Sequence, residues 1–295
     1  MSRHKVVGDL SKPLALFLII LAAQGLYFVA PRIPLMFSTL EVSILSPCED
    51  VYPVQVTLDG RPLTGLEEAN FEVSVNDQPV QFKLVGDRVI DAMILLDTSG
   101  SMASPSKIEA GKNMTHFVVE TAVRSGGKSA LITFNDETRL EGDWTHSPNA
   151  FDQTIDKLQG SGSTKLWDAI KAAAPHLQAM HASRPCELTL LVVISDFEDT
   201  ASLTSEDEAV TALEGTGAVG IPIVYGSYVD VSLTSADHIA QATGGRYLRA
   251  SEAKEAISQL QRLLDSIYYL EIKQRGHIKI TVTCTERTGS DEIDS

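Results

Sequence analysis

The chain has 295 residues, with 39 acidic against 24 basic side chains and a formal net charge of −15. That balance, with no Lys/Arg patch, excludes nucleic acid as a partner, because phosphate backbones are bound by clustered basic residues. A hydrophobic content of 43% is that of a folded protein, and the length accommodates one domain of about 180 residues plus something smaller.

In chain order, "MSRHKVVGDLSKP" carries Arg3, Lys5 and Lys12, and "LALFLIILAAQGLYFVA" then runs apolar from Leu14 to Ala30. A basic flank before such a run is either a secretory signal peptide or an N-terminal anchor. Ala23 is a passable cleavage site, yet the run continues through Val29 and reaches the lower edge of a spanning helix, about 17 residues. The preferred reading is a basic cytoplasmic N-terminus over 1–13 and a transmembrane anchor over 14–31. The positive-inside rule then places the remainder outside, periplasmic or extracellular; secretion after signal cleavage is the alternative. No Cys follows the run closely, which argues against a lipoprotein anchor.

Beyond Pro34 the pattern alternates with period two. "YPVQVTLDG", "NFEVSVND" and "PVQFKLV" read as half-buried strands split by turn residues, predicting a small antiparallel β unit over 38–86. "HIKITVTC" has the same alternation and is a candidate further strand, so 271–295 is read as a C-terminal strand and acidic tail. Cys48 and Cys284 sit at opposite ends of the exported part, where a disulfide is permitted. They are the pair expected to meet if those ends pack together, leaving Cys186 spare.

From Arg88 the pattern becomes α/β. "VIDAMILLD" and "ELTLLVVISD" are near-continuous apolar runs, as expected of strands covered on both faces. "SALITFN", "IPIVYGS" and "GGRYLRA" are further strands. Helical stripes intervene, with Met114, Phe117, Val118 and Ala122 on one and Leu166, Ile170, Ala173 and Leu177 on another. Strands alternating with helices predict a doubly wound, mostly parallel sheet with helices on both faces over 88–270.

Ligands bind such sheets at the carboxyl ends of the strands. Two strands end there in carboxylates, Asp97 of "ILLDTSGSM" and Asp196 of "VVISDFEDT". Between them in sequence, Thr164 of "GSGSTKLWDAI" stands at the start of a helix. Asp97, Ser99, Ser101, Thr164 and Asp196 are all hard oxygen donors, two charged and three neutral, which suits Mg²⁺ or Mn²⁺. Neutral hydroxyls leave a dication much of its positive field, so an open position can take an Asp or Glu from a protein partner. The P-loop pattern is absent, so no nucleotide is expected. No His lies in the three loops to serve as a base, although Glu198 and Asp199 are close, and an enzyme is not expected.

These motifs carry a resemblance. "DTSGSM" resembles the Asp-x-Ser-x-Ser motif of von Willebrand factor type A domains. "GSGSTKLWDAI" is similar to their second loop, with its metal-binding Thr, and "VVISDFEDT" to their third. "LTSADHIAQATGGRYLRASEAKEAISQL" resembles their tail. The resemblance implies a metal-ion-dependent adhesion site formed by Asp97, Ser99, Ser101, Thr164 and Asp196. Phe197 stands where the family commonly has Gly, which puts the carboxylate position of Asp196 in question. "VTLDGRPLTGLEEANFEVSVNDQPV" resembles, more loosely, the β segment ahead of the domain in bacterial exported relatives. The expectation is an anchored, extracytoplasmic module that binds a partner's acidic side chain through Mg²⁺. The alternative is a structural or assembly component of an envelope complex whose metal site is only stabilising.

Overall fold

A computed structural model describes residues 39–45, 48–86, 89–226, 230–284 and 287–294. The first half runs β1 (Leu40–Ile44), β2 (Val51–Leu58), β3 (Arg61–Pro62), β4 (Phe71–Val75), β5 (Gln78–Pro79), β6 (Lys83–Val85), β7 (Ile90–Asp97), α1 (Pro105–Arg124), β8 (Ser129–Phe134), β9 (Thr138–Thr145) and α2 (Asp152–Lys157). It continues with α3 (Leu166–Ser183), β10 (Leu188–Ser195), α4 (Glu206–Leu213), β11 (Val219–Tyr225), α5 (Asp230–Ala242), β12 (Leu248–Ala250), α6 (Ala253–Leu264), β13 (Ile267–Glu271), β14 (His277–Cys284) and β15 (Arg287–Asp294).

The central sheet has the order β12-β11-β10-β7-β8-β9. All its pairings are parallel except β8 with the edge strand β9. Successive side chains on a strand point to opposite faces, and both faces are covered. Ala92, Ile94 and Leu96 of β7 enter one core with α1 and α6. Met93 and Leu95 enter the other with α3 and helix residues Ala209 and Ala236. That double burial is why the two strands read as unbroken apolar runs. Each fully buried Leu or Ile stabilises by roughly 1.5–3 kcal/mol, so β7 and β10 are firmly placed and their carboxyl ends are fixed points.

The flanks form two antiparallel sheets. One has the order β1-β2-β13-β6, with β3 beside β2; the other is β15-β14-β4-β5. Val54, Val56, Phe71, Val73, Leu270, Ile278 and Ile280 meet in a shared core between them. The α/β domain is therefore inserted between strands of this β unit. All but the last residue of β13 lies inside the 88–270 range expected for the α/β domain, yet the strand pairs with β2 and β6 instead. The "acidic tail" includes β15, which runs antiparallel to β14 from His277–Asp294 to Cys284–Arg287.

The expected Cys48–Cys284 pairing is incorrect. Cys48 is joined to Cys186, with Cα atoms 4.8 Å apart. The hairpin end carrying Cys48 abuts the α/β domain, since Leu45 belongs to its core and Val51 packs against it, and Cys186 leads into β10. Cys284 instead ends β14 in the other flanking sheet. No helix among the described residues is long and apolar enough to cross a membrane. The expected anchor over 14–31 lies outside the described residues.

Candidate functional site

Asp97 is the last residue of β7 and is fully buried. Its Oδ1 accepts from Ser99 N–H at 2.8 Å, a local turn that aspartate favours. Its Oδ2 accepts from the Ser195 hydroxyl, at the end of the neighbouring strand β10, at 2.6 Å. The Ser99 and Ser101 hydroxyls are 3.1 Å apart; Ser99 is buried and Ser101 exposed. After a single turn of 3₁₀ helix over Gly100–Met102, Ser104 caps α1, accepting from Lys107 N–H at 3.4 Å, and Pro105 follows at the first helical position.

The second loop packs backbone to backbone on the first. Gly100 N–H donates to Gly162 C=O at 2.9 Å, and Ser161 N–H to Thr98 C=O at 2.8 Å. Glycine is required at the crossing, because a Cβ on Gly160 would lie 2.5 Å from the Ala103 backbone. Gly162 has φ +79°, the left-handed region. Asp136, after β8, fixes the next residue by accepting from Ser163 N–H at 2.9 Å and from its hydroxyl at 2.5 Å. Those bonds to the Ser163 hydroxyl and N–H hold the Asp136 carboxyl below its ordinary range. Thr164 is buried, and its N–H donates to the Thr200 hydroxyl at 2.9 Å.

The third loop follows β10. Phe197 adopts φ +63°, so the backbone keeps the conformation that glycine takes without penalty. For a side-chain-bearing residue this costs roughly 1–2 kcal/mol. The ring is offset into the second core, where Phe197 is buried, and its N–H donates to the Ser195 hydroxyl at 2.9 Å. Further along, Asp199 and Ser202 accept from the first N–H groups of α3, at Leu166, Trp167 and Asp168. Asp168 in turn accepts from Leu203 and Thr204 N–H. The loop is thereby stapled to the start of α3.

Direct contacts thus link the three loops pairwise, and the five expected residues stand at the carboxyl edge of the sheet. Burial pushes the Asp97 carboxyl up from 3.8 to about 6, against the opposing hydrogen bonds from Ser195 and Ser99; the Asp196 charge adds to the rise. Asp196 has one oxygen, Oδ2, at 3.3 Å from the Lys107 ammonium. Its other oxygen, Oδ1, is buried without a hydrogen-bond partner. An unpaired buried carboxylate oxygen is costly, and a hard cation is a partner suited to it.

Two participants were not anticipated from the sequence. Ser195 bridges the two acidic strand ends, and its signal was a lone hydroxyl at the close of an apolar run. Lys107 carried no distinguishing signal, since a Lys near the start of a helix is ordinary.

The fold and this loop set are similar to those of von Willebrand factor type A domains. Residues 92–198 match the family model of that domain, and such domains commonly mediate protein–protein interaction. Among solved structures, a von Willebrand factor type A protein from Catenulispora acidiphila is 13% identical with TM-score 0.52, over 87% of this chain and 72% of that one. Proximal thread matrix protein 1 from the mussel byssus is 16% identical with TM-score 0.51, over 62% of this chain and 49% of that one. An aerotolerance-related membrane protein from Bacteroides fragilis is 18% identical with TM-score 0.48, over 60% of this chain and 98% of that one. Identities this low speak to the fold alone. No curated protein matches the chain.

Proposed function

We propose that this protein is a membrane-anchored, extracytoplasmic binding module whose Asp97, Ser99, Ser101, Thr164 and Asp196 hold Mg²⁺, with Mn²⁺ as a substitute, and that a protein partner's Asp or Glu completes the site. The observation that carries the reading is the unpartnered, buried Oδ1 of Asp196, on the rim that also holds Asp97 and the paired hydroxyls of Ser99 and Ser101. A bound dication would supply a positive centre for an incoming carboxylate. Asp97 and Thr164 are held by backbone and hydroxyl contacts from neighbouring loops, so the site needs little reorganisation to receive its cation. Ser101 is exposed, so a partner could reach its hydroxyl. The anchor over 14–31 rests on the sequence pattern alone.

A second reading is favoured by one contact. The Lys107 ammonium at 3.3 Å already offsets part of the Asp196 charge, as expected of a structural component whose metal site is only stabilising.

Calorimetric titration of Mg²⁺ and Mn²⁺ into the full-length chain in non-ionic detergent tests the proposal, with Asp97→Ala and Thr164→Val alongside. Saturable binding in the parent, lost in both variants with unchanged circular dichroism, supports the site. Absence of binding in the parent, or binding retained in both folded variants, refutes it. Resistance of the full-length chain to alkaline extraction from membranes tests the anchor separately.

A further inference from the structure

Two adjacent strands of the central sheet end in the same kind of turn. In the ladder between β7 and β10, Ile194 pairs with Leu96, so Ser195 and Asp97 come next, side by side. By the alternation of the strands, both fall on the face that buries Met93, Leu95, Leu191 and Val193. Each side chain closes a turn with the N–H two residues on. Asp97 Oδ1 accepts from Ser99 N–H at 2.8 Å, and Ser195 Oγ accepts from Phe197 N–H at 2.9 Å. One further hydrogen bond joins the two turns, from the Ser195 hydroxyl to Asp97 Oδ2 at 2.6 Å.

Ser195 is completely buried. A serine hydroxyl offers one donor and two acceptor sites; here the donor is spent on Asp97 and one acceptor on Phe197. The donated bond holds the second oxygen of Asp97, while Ser99 N–H holds the first, so the carboxylate is fixed at both ends. The accepted bond holds the N–H of Phe197 at φ +63°, a conformation that side-chain-bearing residues rarely adopt. Asp196 lies between Ser195 and Phe197. Its Oδ1 has no hydrogen-bond partner and its Oδ2 meets only the long, flexible side chain of Lys107. The direction of its carboxylate is therefore set by the turn that Ser195 closes.

We propose that Ser195 is the positioning residue of the metal site. Its single hydroxyl sets both the Asp97 carboxylate and the turn carrying Asp196, so that the two acidic groups are held as one unit. The assignment rests on the metal reading above and adds to it a residue that acts through two ligands without being one. Ser195→Ala removes both bonds at once and leaves all five ligand side chains in the chain. Groups that hold metal ligands in place are worth roughly tenfold to a hundredfold in metal affinity.

The test is calorimetric titration of Mg²⁺ into the full-length chain in non-ionic detergent, for the parent, Ser195→Ala, Ser195→Thr and Arg184→Met, each checked by circular dichroism. Ser195→Thr keeps the hydroxyl, and a β-branched residue suits a strand. Arg184→Met perturbs the opposite, amino end of the same sheet, where Arg184 pairs with Asp91. The expected result is affinity at least about tenfold weaker in Ser195→Ala and within about threefold of the parent in Ser195→Thr. Arg184→Met should stay within about twofold, because distant sites act independently. Parental affinity in Ser195→Ala overturns the proposal, as does equal weakening in Ser195→Ala and Ser195→Thr, or in Ser195→Ala and Arg184→Met. A parent that binds no Mg²⁺ overturns the metal reading and this assignment with it, whereas a parent that binds beside an unaffected Ser195→Ala overturns this assignment alone.

Discussion

Replacing Asp97 by Asn should stabilise the metal-free protein at neutral pH while abolishing its response to Mg²⁺. The Asp97 carboxyl is raised from 3.8 to about 6 by burial. Between those values the folded chain holds a proton that the unfolded chain has released. The associated stability is fully present below about pH 4 and is lost as pH rises through about 6. Above that, the buried carboxylate is a fixed cost of about 3 kcal/mol, from 1.36 kcal/mol per pH unit. Asn is neutral throughout. Its Oδ1 can still accept from Ser99 N–H, but its amide must donate towards Ser195, whose hydroxyl now donates to Asp97 at 2.6 Å. Allowing about 1 kcal/mol for that reversed bond, the variant should gain roughly 2 kcal/mol in EDTA at pH 7.5 and lose roughly 1 kcal/mol at pH 4. Urea unfolding followed by tryptophan fluorescence reads this, since Trp167 is buried in the first turn of α3. Saturating Mg²⁺ should stabilise only the parent. A variant less stable than the parent in EDTA at pH 7.5, or a difference that does not change with pH, would refute the reasoning.

Lys107→Met should raise Mg²⁺ affinity several-fold, because an ammonium 3.3 Å from Asp196 competes with the cation; unchanged affinity by calorimetry would rule out competition. Arg184→Met should destabilise by about 3–5 kcal/mol, because Asp91 is fully buried and takes Arg184 at 2.7 Å. Adding Asp91→Asn should recover most of that loss in urea unfolding. Reduction of the disulfide, or Cys48→Ser, should lower stability by about 2–4 kcal/mol, because the bond closes a separation of 138 residues; a midpoint insensitive to reductant would contradict this.

The α/β core was legible in the sequence because its strands are buried on both faces. Runs such as "ELTLLVVISD" have no competing interpretation once helices flank them. β9 was missed for the complementary reason. It is an edge strand with no fully buried residue, and "TRLEGDWT" has no apolar period to detect. β13 was missed differently: "IYYLE" reads as a strand, but its partners lie over 180 residues back, at Val51–Gln55 and Lys83–Val85. Periodicity carries a strand's existence and not its partner. The disulfide has the same character, since Cys48 meets Cys186 only because the β2 hairpin end packs against the α/β core.

The loop residues follow a different logic, because there the sequence recorded backbone geometry as well as chemistry. The "GSGS" glycines stand where one loop crosses another at a distance that excludes a Cβ. Phe197 is the informative exception. A glycine there would satisfy the φ of +63° without strain but would contribute nothing to the core below. Phe accepts roughly 1–2 kcal/mol of backbone strain and in return buries a ring, worth about 1.5–3 kcal/mol. The two effects are comparable, so the left-handed turn is kept by packing where glycine would keep it by freedom. The position of Asp196 therefore depends on the core beneath it, and a cavity opened under Phe197 would be felt at the rim before it was felt in the fold.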